Sequence, residues 1–133
     1  MSSQEGVVRV RVRYPEVDRM GVAHHTVHLI WFEIGRTEWL RSHGLPYARI
    51  EAGGIFLPVI EARCAYHAPA RYDDVLIVRS AVAASSRARV TFTYRVEREA
   101  DGALLATGRT THAAVDGRGR PRPLPDPLRE LLG

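Results

Sequence analysis

Along Val7–Arg13 apolar and charged residues alternate, with Val8, Val10 and Val12 on one side and Arg9, Arg11 and Arg13 on the other. A period of two predicts a half-buried strand. The period breaks at 14–25, which contains Pro15 and Gly21 and reads as a loop. From Val27 to about His43 the pattern is helical. In the first half, Val27, Leu29, Ile30, Trp31, Phe32 and Ile34 occupy almost every side. A helix apolar all round is expected to be buried. Trp39 and Leu40 continue it, and His43-Gly44 supplies a stop. Gly35 inside this helix costs roughly 1 kcal/mol relative to alanine, which close packing of its backbone against a sheet would explain.

Leu45–Gly54 reads as a linker with one short helical turn. Strand patterns then follow in series. Ile55–Ala68 is apolar and β-branched, with Pro58 near its start, and Val75–Ala84 carries the run Val-Leu-Ile-Val. Arg89–Glu99 alternates, with Val90, Phe92, Tyr94 and Val96 on one face. Ala100-Asp101-Gly102 predicts a hairpin turn of the Asp-Gly type, and Ala103–Asp116 is the return strand. The proline-rich tail ends in a short helical turn, expected to be capped by Asp126 with Pro127 at its first position. Strand, long helix, then four strands joined by short turns is an α+β order. It predicts a five-stranded antiparallel sheet wrapped around one long central helix, in a single domain over residues 1–133. One helix covers one face of such a sheet, so the edge strands predict self-association.

Composition removes several classes of function. The 133 residues are 45% hydrophobic, enough for one ordinary core. No run is apolar enough to span a membrane, and the opening Met-Ser-Ser-Gln-Glu-Gly lacks a signal pattern, so a cytoplasmic protein is expected. The lone cysteine, Cys64, excludes an internal disulfide and a cysteine-based zinc cluster, and its alternation with apolar neighbours reads as inert core. A net charge of +4 invites a nucleic-acid reading. All nineteen cationic residues are arginines, however, and they are spread along the chain, so no binding footprint forms.

The chemistry concentrates in Tyr14-Pro-Glu16-Val-Asp18-Arg-Met-Gly21-Val-Ala-His24-His25-Thr26, which runs directly into the helix. A helix start presents unpaired N–H groups and partial positive charge. It can hold an anion or a developing oxyanion, and Thr26 is a capping-type residue. A carboxylate a few residues upstream can act as nucleophile or base. These are the parts of an acyl-transfer site. His24, His25, His28, His43, His67 and His112 show no metal-binding spacing.

Order and motifs together resemble the hotdog-fold acyl-CoA thioesterases of the 4-hydroxybenzoyl-CoA thioesterase-like group. The resemblance spans nearly the whole chain. It is carried by the segment from Tyr14 to His25, by Phe32, Glu33, Arg36 and Glu38 on the helix, by Tyr66, Pro69, Tyr72, Asp73 and Asp74, and by the Arg-Pro-x-x-Leu-Pro tail. It implies that Asp18 is the catalytic carboxylate and that the backbone N–H of His25 polarises the thioester carbonyl. Glu33, on the helix, is a further catalytic candidate, and Gly21, His24, His28, Tyr66 and Arg71 are candidate substrate-binding positions. The resemblance further implies an acyl-CoA substrate, no metal or redox cofactor, no nucleic-acid or membrane partner, and a homodimer or homotetramer with sites at the interface. Two departures stand out: Glu16 where the group often has Asp, and His28 where it has tyrosine.

Plainer roles compete at each position. Asp18 fits a turn, Glu16 a solvated or structural acid, Tyr66 and Tyr72 packing, and Glu33 an ion pair locking a buried helix. Arg71, Arg87 and Arg89 are equal candidates for the CoA phosphates. Asp18 acting as nucleophile and Asp18 deprotonating a water are not separable from sequence. A hotdog hydratase or dehydratase and a non-catalytic acyl-CoA binding module remain as rivals.

Overall fold

The computed structural model describes residues 5–133. Five strands, β1 (Gly6–Arg11), β2 (Val59–Tyr66), β3 (Val75–Ser85), β4 (Arg89–Arg98) and β5 (Leu104–Ala113), form one sheet in the order β1-β3-β4-β5-β2. Every neighbouring pair is antiparallel. Helix α1 (Val27–Ser42) lies against the inner face, and short helices α2 (Tyr47–Ala52) and α3 (Asp126–Leu132) complete the chain. This is the expected α+β order. The inward alternation of Val8, Val10 and Val12 holds, as does that of Val90, Phe92, Tyr94 and Val96.

Backbone contact seats α1. A Cβ on Gly35 would collide with Ser80 Oγ and stand 3.0 Å from Val78 Cγ1. A Cβ on Gly108 of β5 would run into the Phe32 ring. Phe32 stacks on Tyr94 at 4.4 Å, and Trp31, Trp39, Leu76, Val78 and Leu105 close the core around it.

Five local expectations are corrected. α1 is not buried all round: Leu29 and Ile30 are 41% and 47% exposed. Strand β2 begins at Val59, with Phe56 reduced to an isolated bridge to Val115. Cys64 lies half-buried on this edge strand instead of in the core. The turn at 100–102 has Gly102 at φ +70° while Asp101 stays outside the left-handed region, so it is not the two-residue Asp-Gly turn. At the tail, Pro125 holds the N-cap position and Asp126 falls inside α3 without a side-chain cap bond.

Candidate active site

Residues 17–23 fold into a tight hairpin. Val17 bridges Ala23, the Asp18 N–H donates to the Val22 carbonyl at 2.9 Å, and the Gly21 N–H donates to the Asp18 carbonyl at 2.9 Å. Gly21 sits at φ +76°, where a side chain would be strained. The hairpin is laced to the segment before β3: the Ala23 N–H donates to Ala70 and the Tyr72 N–H to Gly21, both at 2.8 Å.

Within this hairpin Asp18 is exposed, and its Oδ1 accepts the N–H groups of Met20 (2.8 Å) and Val22 (3.2 Å). These bonds, Val22 first and then Met20, hold its carboxyl below the ordinary range. Oδ2 has no hydrogen-bond partner among the described residues. The turn role and a free, ionised carboxylate oxygen therefore coexist. Glu16 is buried, not solvated: it accepts the Arg13 N–H at 2.7 Å and the Arg13 guanidinium at 3.1 Å, closing a capping box.

Helix α1 starts two residues after His25. Thr26 occupies the N-cap position in helical conformation and makes no side-chain cap bond, contrary to its residue type. The His25 N–H makes no backbone hydrogen bond among the described residues, whereas the His25 carbonyl accepts the Tyr66 hydroxyl at 2.8 Å. The His25 peptide is thus fixed from one side with its donor left over. Burial first, and Cys64 second, push the Tyr66 hydroxyl up to about 12, so it stays protonated and donating.

A cavity of about 340 Å³ opens here, lined by His25, His28, Tyr66 and His67 and walled by Val22, Ala23, Ala68 and Pro69. Its size suits a small ligand. His28 is 3% exposed, and neither ring nitrogen has a hydrogen-bond partner. Burial holds its imidazole below the usual histidine range; the carbonyls of His25 and His24 pull the other way without closing a hydrogen bond.

The expected site residues separate into groups. His25, His28 and Tyr66 line the cavity; Asp18, Gly21 and His24 lie outside its lining, in the adjoining hairpin and the segment that follows it, and Arg71, exposed, is bridged through its backbone to Val22, which walls the cavity. Glu33 does not join them within the chain. It is exposed, 4.0 Å from Arg36, and roughly 12 Å along the helix from His25. Arg87 and Arg89 lie beyond the far end of β3, roughly 30 Å away by strand length. A depression of about 540 Å³ lies at that far end against α3, apart from Asp18 and His25.

One polar feature had no sequence signal. His112 is 1% exposed, with Nδ1 2.9 Å from the Leu57 carbonyl and Nε2 2.8 Å from Thr110 Oγ1, which Tyr94 reaches at 2.6 Å. It borders a second cavity of about 280 Å³ with Arg36 and Thr37. Thr110 and His112 share one face of β5, but a histidine on a strand face reads as ordinary. Among the described residues no group of three or more His, Cys, Asp or Glu is arranged to hold a metal ion.

Comparison with known proteins agrees with this architecture. Residues 12–132 match the model of the thioesterase-like superfamily. The acyl-CoA thioester hydrolase YbgC of Escherichia coli O6:H1 is 32% identical over 117 residues, 87% of this chain and 87% of that protein. The crystal structure of the hypothetical protein TT1821 from Thermus thermophilus superposes with a TM-score of 0.90 at 43% identity, over 97% of this chain and 95% of that one. A DHNA-CoA thioesterase from Staphylococcus aureus gives 0.91 at 29% identity, over 96% and 87%. With the sheet order, the buried central helix and the hairpin before it all in place, the chain belongs to the thioesterase-like superfamily and has its hotdog fold.

Proposed function

We propose that this protein hydrolyses the thioester of a small acyl-CoA, with the acyl carbonyl seated in the cavity at the start of α1. The observation that carries the reading is the His25 peptide: its carbonyl is held by Tyr66 and its N–H is left over beside a cavity. An oxygen gaining negative charge there meets that donor at a helix start, an interaction worth roughly 3 kcal/mol in comparable sites. Asp18 supplies the nucleophile or the general base. Its Oδ2 either adds to the thioester carbon, giving an anhydride that water then opens, or takes a proton from the attacking water. In both routes the C–S bond breaks, and the free acid and coenzyme A leave. Arg71, exposed beside the hairpin, is the choice among the three arginine candidates for a CoA phosphate.

A second copy of the chain completes the enzyme in this reading. Edge strand β2 leaves Val59 and Ile60 exposed at 45% and 48%, and Leu29 and Ile30 of α1 are exposed to a similar degree. An unpaired apolar edge of this kind favours pairing. Glu33 shares that helix face and would enter a site only across such an interface. Asp18→Asn tests the proposal: Asn Oδ1 still accepts the turn N–H groups, so melting should be unchanged, and turnover should fall at least ~100-fold. Glu16→Gln should chiefly lower the melting temperature. Near-normal turnover in Asp18→Asn would remove Asp18 from the mechanism.

A further inference from the structure

In the candidate cavity one side chain is left without a purpose in the hydrolytic steps. His28 follows His25 by one helical turn, roughly 5 Å of rise. It is 3% exposed, and both Nδ1 and Nε2 lack a hydrogen-bond partner. Its ring is wedged edge-on between Trp31 (4.7 Å) and Tyr66 (4.9 Å). Neither offers it a bond: the Tyr66 hydroxyl is committed to the His25 carbonyl, and Trp31 Nε1 is itself buried and unpartnered. Buried polar atoms in folded proteins are normally paired, and leaving one unpaired is costly. A cavity-lining imidazole whose two nitrogens are buried and unpartnered is therefore set up for a partner that arrives with the ligand.

We propose that His28 selects acyl groups bearing a hydroxyl two to three carbons beyond the thioester carbonyl. The inference rests on the reading of this cavity as an acyl-thioester site. A carbonyl placed at the His25 N–H puts that stretch of the acyl group one helical turn along, beside the His28 ring. A hydroxyl both donates and accepts, so it satisfies a neutral imidazole in either tautomer. A carboxylate substituent fits poorly, because no arginine lines the cavity. The neighbouring rings of Tyr66 and His25 accept a flat or short acyl group equally well, so the hydroxyl, not the skeleton, is the recognised feature.

The test compares matched pairs with the full-length protein: 3-hydroxybenzoyl-CoA against benzoyl-CoA, and 3-hydroxybutyryl-CoA against butyryl-CoA. The wild type should prefer the hydroxylated member of at least one pair by about tenfold or more in kcat/KM. In His28→Phe that ratio should collapse to within about twofold. In His28→Gln, which keeps a donor and an acceptor, part of the ratio should return. His28→Leu, with far-ultraviolet circular dichroism on each variant, guards against a folding defect in the phenylalanine variant. A wild type without preference in either pair, or a preference that survives both apolar variants, overturns the role of His28. Failure of the wild type to release thiol from any of the four overturns the thioesterase reading instead.

Discussion

His28 and His112 are the same residue type, equally hidden at 3% and 1% exposure, and opposite in their bonding. His112 has its protonation dictated by its neighbours. A carbonyl can only accept, so Nδ1 carries the proton toward Leu57, and Nε2 accepts from Thr110, whose oxygen in turn accepts from Tyr94. His28 has no such instruction. Burial depresses both imidazoles, His112 to about 4. Burial alone therefore does not separate the two histidines; the bonding of their ring nitrogens does.

Acid should expose the difference most strongly. The folded pKa of His112, about 4, lies below its unfolded value near 6.5. Between these values the unfolded chain binds a proton that the folded chain refuses. The contribution is therefore intact above pH 6.5 and is lost as pH falls toward 4. The loss by pH 4 is about 3 kcal/mol. Urea melts of wild type and His112→Phe at pH 7 and pH 4 isolate it; an equal pH dependence in the two proteins contradicts the assignment. At pH 7 itself, His112→Phe should cost about 2 kcal/mol, because the Leu57 carbonyl loses its side-chain partner in the core and the Thr110 hydroxyl keeps only Tyr94. Equilibrium unfolding gives that figure directly. His28→Phe is the smallest and has the opposite sign: removing two unsatisfied nitrogens should leave stability unchanged or raise it by about 1 kcal/mol. A clear loss of stability there would mean that His28 is bonded in solution as His112 is.

Much of the fold could be read before any coordinates. The strand alternation, the buried Trp31 and Phe32 face, and the tight seat of Gly35 all follow from short-range patterns whose physics is local. The errors share one cause: position in the sheet. Pro58, Glu61 and Arg63 mark Val59–Tyr66 as an edge strand, but the apolar residues among them look alike whether a neighbouring strand or a second molecule covers them. Leu29, Ile30 and Glu33 were misplaced as buried for the same reason. In the candidate site, the turn that holds Asp18 and Gly21 and the helix start after His25 are legible in the turn-then-helix order. The separation of Glu33, Arg87 and Arg89 from them was not, because it depends on helix phase and strand length. The Tyr94–Thr110–His112 chain joins β4 to β5 across sixteen residues and leaves no trace in any window.

The two bare backbone contacts that seat α1 divide the helix into a side that is held and a side that is negotiable. At Gly35 and Gly108 even a methyl group would push the helix off the sheet. The Leu29, Ile30 and Glu33 side meets no such wall within the chain. Inherited variation thus has an asymmetric outlet: new chemistry can accumulate on the outward side of α1 while the distance between the helix start and the sheet stays constant. The outward side of α1 can vary without rebuilding the frame that fixes the helix start against the sheet.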